Sequence, residues 1–227
     1  MMHWHSPEQE RKETGRIEAL SDGVFAIAVT LLVLGIPVPG RDSLEPGKSL
    51  QAYIFGDYRG LAFLTYGISF LTILVMWINH HSVFQFVARI DRPFVIENGL
   101  LLMFVTFVNY PTALVANFAG TPDATFATAL YSAVLIVISV LYNLLWFRII
   151  NHGRLLVSNA DSTDVDTITR QYRFGWAYYL AAFALAFVNP WLSIALNAGL
   201  AIYFAFTGRI TRADVRYEHR MYTRKVR

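Results

Sequence analysis

The chain has 227 residues, of which 55% are hydrophobic and 15% charged, with a formal net charge of +3. A water-soluble domain of this size does not need so apolar a composition for its core, which excludes an ordinary soluble globular protein. There is no cysteine, so disulfides and thiolate-ligated metals are excluded as well.

The apolar residues come in runs, and a run of ~20 is what a helix needs to cross a ~30 Å hydrocarbon layer. Met2 to Thr14 is polar and charged and no small-residue cleavage pattern follows, which predicts a retained cytoplasmic segment over residues 1–15. The first apolar tract runs from Arg16 to Ile36. Pro37 to Asp57, rich in Pro, Gly and charge, reads as an external loop. The second tract covers Tyr58 to Phe84, and the third Pro93 to Phe118, with Asn109 and Pro111 marking a bend. The fourth lies between Ala124 and Ile150. His152 to Arg170 is a polar connector whose "SNADSTDVD" is suited to capping a short helix. The fifth and sixth tracts, Phe174 to Val188 and Pro190 to Phe206, are separated by the turn signal Asn189-Pro190 and form a helical hairpin. The prediction is an all-α, polytopic membrane protein with six transmembrane helices in one domain, residues 16–208, followed by a basic tail over 209–227.

Six crossings place both termini on one side, and Lys and Arg say which. Arg11, Lys12 and Arg16 precede the first helix, Arg89 and Arg92 join the second to the third, and Arg148, Arg154, Arg170 and Arg173 flank the fourth connection. The tail adds Arg209, Arg212, Arg216, Arg220, Arg224, Lys225 and Arg227. Only Arg41, Lys48 and Arg59 of the nineteen basic residues fall on the other side, so both termini are expected in the cytoplasm. Membrane lipid headgroups are the expected partner of the tail, and no nucleic-acid role is assigned to it.

The first helix carries the chemistry. On a helical wheel Leu20, Val24, Ile27, Leu31 and Leu34 share one stripe, with Thr30 at its edge, while Glu18, Ser21 and Asp22 point to the other side. Uninterrupted apolar sequence begins only at Gly23, so Asp22 sits near the cytoplasmic end of the hydrocarbon layer. A carboxylate at that depth turns inward and seeks a partner. Arg16, Trp77, Asn79, His80 and His81, with Glu97 and Asn98, are available at the same level and predict a buried polar cluster that sets the rotation of this helix. The adjacent His80 and His81 point in different directions and have no carboxylate at ligand spacing beside them, so no metal is assigned to them.

The string from Arg16 through Leu20, Ser21 and Asp22, followed by "VFAIAVTLLVL", resembles the first-helix signature of the transmembrane protein 175 family, with Leu20 where that family usually has Phe. The "WINHH" stretch resembles the family's second helix. The resemblance implies a potassium channel of the prokaryotic kind, with six helices per subunit, a homotetrameric assembly, and a pore lined by the first helix. It places the narrowest hydrophobic ring on Ile27, with Thr30, Leu31 and Leu34 as further pore-facing positions, and implies K+ as the permeant ion. Such a ring can gate by dewetting.

The carbonyl filter sequence TVGYG and an Arg-repeat voltage sensor are both absent from the chain. No nucleophile with a base at workable spacing, HExxH motif or phosphate loop appears, so neither enzymatic activity nor a cofactor is predicted. The rival reading from another class is a secondary transporter or proton-coupled carrier; such folds show related halves, and no repeat links the first three tracts to the last three.

Overall fold

The computed structural model describes residues 7–36, 38, 40, 49–55, 60–153, 155–158 and 160–207. Most of the external loop with Arg41, Lys48 and Arg59, the linker residue Arg154, and the tail 209–227 lie outside the described residues. Among the described residues every regular element is helical: α1 (Pro7–Leu31), α2 (Leu50–Phe55), α3 (Gly60–Phe84), α4 (Arg92–Phe107), α5 (Asn109–Phe118), α6 (Ala124–Asn151), α7 (Ser162–Arg173), α8 (Gly175–Ala186) and α9 (Pro190–Thr207).

Among the described residues α1 already runs from Pro7, a residue a first helical turn tolerates, well before the apolar tract. It tightens into a 3₁₀ turn over Leu32–Gly35 and stops at Ile36, which is extended (φ −82°, ψ 117°) as the residue before a proline must be. α4 is capped by Asp91, whose carboxylate accepts from the Phe94 amide at 2.8 Å. The third tract is interrupted at Val108. Pro111 explains the interruption: it offers no N–H to the carbonyl four residues earlier, at Phe107, and its ring crowds that carbonyl. Gly120, at φ 76°, adopts a left-handed conformation open to glycine and turns the chain from α5 toward α6. Asp161 caps α7 by accepting from the Thr163 amide at 2.9 Å, as the polar linker predicts. Asn189 likewise accepts from the Trp191 amide at 2.8 Å, closing the α8–α9 hairpin.

α6 is the axis of the protomer. It packs against α4, α5, α7, α8 and α9, and its buried residues, among them Leu135, Ile138, Leu145, Trp146 and Ile149, cover a broad side of it, while Phe126, Val140 and Leu144 stay exposed on the other. Gly175 lets α8 begin close against α6, since a Cβ there would stand 3.2 Å from Ser139 Oγ. Buried hydroxyls and amides tie the last helices in: Asn197 Nδ2 donates to Ser132 Oγ at 3.0 Å, and Ser193 Oγ donates to the Ala182 carbonyl at 2.6 Å. The α3–α4 and α6–α7 connections meet at one end, where Val87 and Leu156 form an antiparallel bridge.

Among the described residues, four tracts are long and apolar enough to cross a membrane: Lys12–Gly35, Ala62–Phe84, Arg92–Phe118 and Ala124–Asn151. The expected fifth and sixth are shorter. α8 has 12 residues and α9 has 18; at ~1.5 Å per residue α8 falls well short of the hydrocarbon thickness. The cause is local, because α8 begins only after Phe174 and the Asn189-Pro190 turn follows soon after its end.

Candidate functional site

α1 has two unlike faces. Thr14, Ser21, Phe25, Ala28 and Leu32 are buried at helical spacing, against α3 and α4. Of the predicted apolar stripe, Leu20, Ile27, Leu31 and Leu34 are 60%, 57%, 43% and 76% exposed and stand bare on the outside of the chain, whereas Val24 is partly buried against the core. Thr30 belongs to the same exposed side. Its hydroxyl donates back to the Ile27 carbonyl at 2.9 Å, leaving that surface without a free donor.

The buried side is fixed by a chain of polar groups whose direction can be worked out. Ser21 Oγ, fully buried, spends its only hydrogen on the Ile17 carbonyl at 2.9 Å, so it must accept from Asn98 Nδ2 at 3.0 Å. The Asn98 carbonyl oxygen then faces His80 Nε2 at 2.9 Å, and the imidazole is the donor. His80 Nδ1 is buried without a hydrogen-bond partner among the described residues, so the ring joins this network through Nε2. Its ring is packed between Phe25 and Phe84, with centroids 5.2 Å and 4.4 Å away.

A second set of contacts zips α1 to α3. Trp77 Nε1 donates to Asp22 Oδ1 at 2.9 Å. One turn away His81 Nδ1 faces Glu18 Oε1 at 3.2 Å. Glu18 and Asp22 are four residues apart on α1, and Trp77 and His81 four apart on α3. Two such pairs in opposite order define antiparallel helices locked in both register and rotation. Trp77 and His81 also stack, with centroids 6.2 Å apart.

Of the predicted residues, Ser21, Asp22, Trp77, His80 and His81 therefore come together, and Asn98 joins them. Arg16 and Asn79 do not. Arg16 is exposed, with no hydrogen bond to Asp22 among the described residues; Asp22 is satisfied from α3. Asn79 lies on the opposite side of α3, where it lines a cavity with Thr72 and Met76. Glu97 turns away from α1 to Arg148: the guanidinium Nε donates to both of its oxygens at 2.9 Å, and Nη1 reaches Asp91 Oδ2 at 3.3 Å. Sequence reasoning missed Glu18 as a partner of His81, although its spacing from Asp22 matches the Trp77–His81 spacing. It also missed Arg148, whose partners lie far off along the chain. Among the described residues, no three His, Cys, Asp or Glu side chains gather as a metal site.

The family model described as endosomal/lysosomal potassium channel TMEM175 matches residues 16–108, which span α1 to the start of the α4–α5 break. A potassium channel of Chamaesiphon minutus is 50% identical over 196 residues, 86% of this chain and 95% of that one. A potassium channel of Streptomyces collinus is 38% identical over 195 residues, covering 86% and 92%. Among solved structures, a lysosomal potassium-selective channel TMEM175 homolog from Chamaesiphon minutus superposes with a TM-score of 0.76 at 48% identity, over 87% of this chain and 99% of that one. The resemblance carried by seven residues of the first helix thus extends through nearly the whole molecule, and this chain, a multi-pass membrane protein, belongs to the TMEM175 family.

Proposed function

We propose that the chain is a potassium-permeable, leak-type cation channel, in which four copies of α1 surround a pore and Ile27 forms its principal constriction. The observation that carries this reading is the bare apolar stripe of Ile27, Leu31 and Leu34, on a helix whose opposite face is pinned by the Ser21–Asn98–His80 chain and the Trp77–Asp22 contact. A helix held at one rotation presents that stripe in one direction only, and a fourfold axis in front of it converts the stripe into stacked rings. The relatives named as potassium channels support K+ as the permeant ion.

In such a pore nothing replaces the water an ion sheds, so passage requires an ion that stays largely hydrated or a ring that widens. Potassium holds its water less tightly than sodium, which gives a modest preference for K+. Thr30 and Leu31 lie between the rings of Ile27 and Leu34. Asp22, on the other side of α1, acts as a structural clamp. In this reading α8 and α9 complete six crossings, residues 16–208 are the membrane domain, and the 1–15 segment and the 209–227 tail face the cytoplasm, the tail along anionic lipid.

Planar-bilayer recording in mixed K+ and Na+ solutions tests the proposal. Wild-type protein is expected to show unitary currents favouring K+, and Ile27→Asn a several-fold larger conductance with weaker K+ preference. Slow saturable flux without unitary events would point instead to a carrier. Wild-type currents from Ile27→Asn would remove that residue from the constriction.

A further inference from the structure

The α1 clamp and the bare stripe make no use of α7, α8 and α9. Where α7 runs into α8 and α9 ends, Arg170, Phe174, Tyr178, Phe204 and Phe206 border a groove of about 630 Å³. That volume is within the range of small-molecule sites. α7 is amphipathic: Ile168 is buried, Val165 and Tyr172 pack against the core, and Trp146 Nε1 donates to Thr169 Oγ1 at 2.9 Å, which fixes the helix by one side. Arg170 stands exposed on the other side, and a single residue, Phe174, separates the end of α7 from the start of α8.

The chemistry of the groove is uneven. Among the described residues Arg170 is the one charged group bordering it, and no carboxylate does. Arg170 Nε donates to the Asp166 backbone carbonyl at 3.3 Å and no carboxylate pairs with the guanidinium, so its terminal nitrogens keep their hydrogens for an anion. Arg173 adds a second cation, its guanidinium carbon 5.6 Å from the centroid of the Phe174 ring. Gln171 and Tyr178 bring neutral donors to the wall; Thr167 does not, because its hydroxyl hydrogen is spent on the Thr163 carbonyl at 2.7 Å. Phe174, Phe204 and Phe206 supply the apolar part. Cations in a last turn complement the helix dipole, which accounts for Arg170 and Arg173 but not for a phenyl-walled groove beside them.

The groove also lies at an informative depth. Exposed Tyr178 and Tyr203 border it and exposed Trp176 stands in the first turn of α8, the residue types that settle at the headgroup level of a bilayer. A guanidinium, neutral donors and phenyl rings side by side at that level fit a phosphodiester joined to acyl chains. The phosphate oxygens accept from the guanidinium fork, and the first methylenes lie on the rings. Free phosphate would leave the rings to water, and a choline headgroup would bring its own cation to the arginines. We infer that this groove binds one anionic phospholipid by its headgroup, joining α7 to the end of α9. The inference needs a chain embedded in a membrane and does not depend on conduction.

The test titrates the full chain in detergent with phosphatidylglycerol and with phosphatidylcholine of the same acyl chains, bound lipid being counted by native mass spectrometry. One phosphatidylglycerol per chain is expected, held at least about tenfold, or ~1.4 kcal/mol, more tightly than phosphatidylcholine. Arg170→Gln is expected to remove that preference, and Arg170→Lys to restore it in part, because the charge returns without the fork. Phe206→Ser should weaken phosphatidylglycerol binding several-fold. Arg92→Gln, which removes an equally exposed cation from the α3–α4 connection, should change it by less than about twofold. All four positions are exposed or border the groove, and circular dichroism checks that helix content is kept. Equal affinity for the two lipids, undiminished binding in Arg170→Gln, or an equal loss in Arg92→Gln would overturn the site. Sodium phosphate is expected to displace the lipid no more than sodium chloride of equal ionic strength does; selective displacement would mark a free-phosphate site and overturn the lipid assignment. A protein that conducts yet shows no preference between the lipids would refute the lipid site and leave the channel reading standing.

Discussion

α1 and α6 are both long apolar helices, yet their side chains meet different fates. In α6, 44% of the most apolar window is buried inside the chain, over a broad side of the helix; in α1 only 22% is. α6 finds its neighbours within its own chain. α1 finds them along one line of residues, held there by hydrogen bonds to Asn98 and Trp77, and leaves a full apolar face for something outside the protomer. The contrast separates a helix packed on a broad side within its own chain from one that, in the proposed reading, is held at a fixed rotation so that its bare face meets other copies.

Substitutions can break or sharpen that contrast. The largest effect is expected from Ile138→Asp in α6, where an unpaired carboxylate would be stranded at a position only 2% exposed. Folded protein should vanish from the size-exclusion profile, since such burial costs several kcal/mol. Arg148→Ala comes next: it leaves Glu97 and Asp91 facing each other's charge at the α4–α6 contact. The site is partly exposed, so a loss of about 1–3 kcal/mol is expected, read as a lower midpoint of thermal unfolding in detergent. Ser21→Ala should cost about 1–2 kcal/mol by stranding the Asn98 amide, with recovery of the proposed tetramer falling more than helix content by circular dichroism. If recovery were unaffected, the Ser21–Asn98–His80 chain would not be what orients α1. The smallest stability effect is expected at Leu34→Ser on the bare stripe, within about 0.5 kcal/mol for the isolated subunit. Its signature lies in bilayer current, which should rise as a ring of the proposed passage becomes wettable. A stability loss there as large as at Ile138 would mean that the stripe is packed as a core surface, and the contrast between the two helices would fail.

Much of this was open to reading in the sequence. Hydropathy located α3, α6 and the broken α4–α5 tract to within a few residues, and the apolar part of α1 but not its polar first turns, because length and apolarity are local properties. The two caps at Asp161 and Asn189 were equally local. The crossing count was less accessible: α8 was judged on an apolar run of fifteen residues, and only the backbone reveals that twelve of them are helical. At the α1 clamp, depth in the membrane nominated the right polar residues on α3 and α4 but also Arg16, Asn79 and Glu97, which share that depth and face elsewhere.

What the sequence determined by itself was periodicity: which residues of α1 share a face, that Ile27, Leu31 and Leu34 oppose Asp22, and that basic residues gather at alternate connections. These follow from a helical repeat of ~3.6 residues and from the cost of burying charge in hydrocarbon. Only the tertiary structure decided which neighbour each polar group takes, since partners such as Glu18 and His81, or Arg148 and Glu97, lie more than fifty residues apart and meet only when helices pack. The physical reason is directional. A hydrophobic stripe needs only to be covered, by anything apolar, whereas a hydrogen bond needs a particular donor about 3 Å away, and that is a property of how helices are placed against one another.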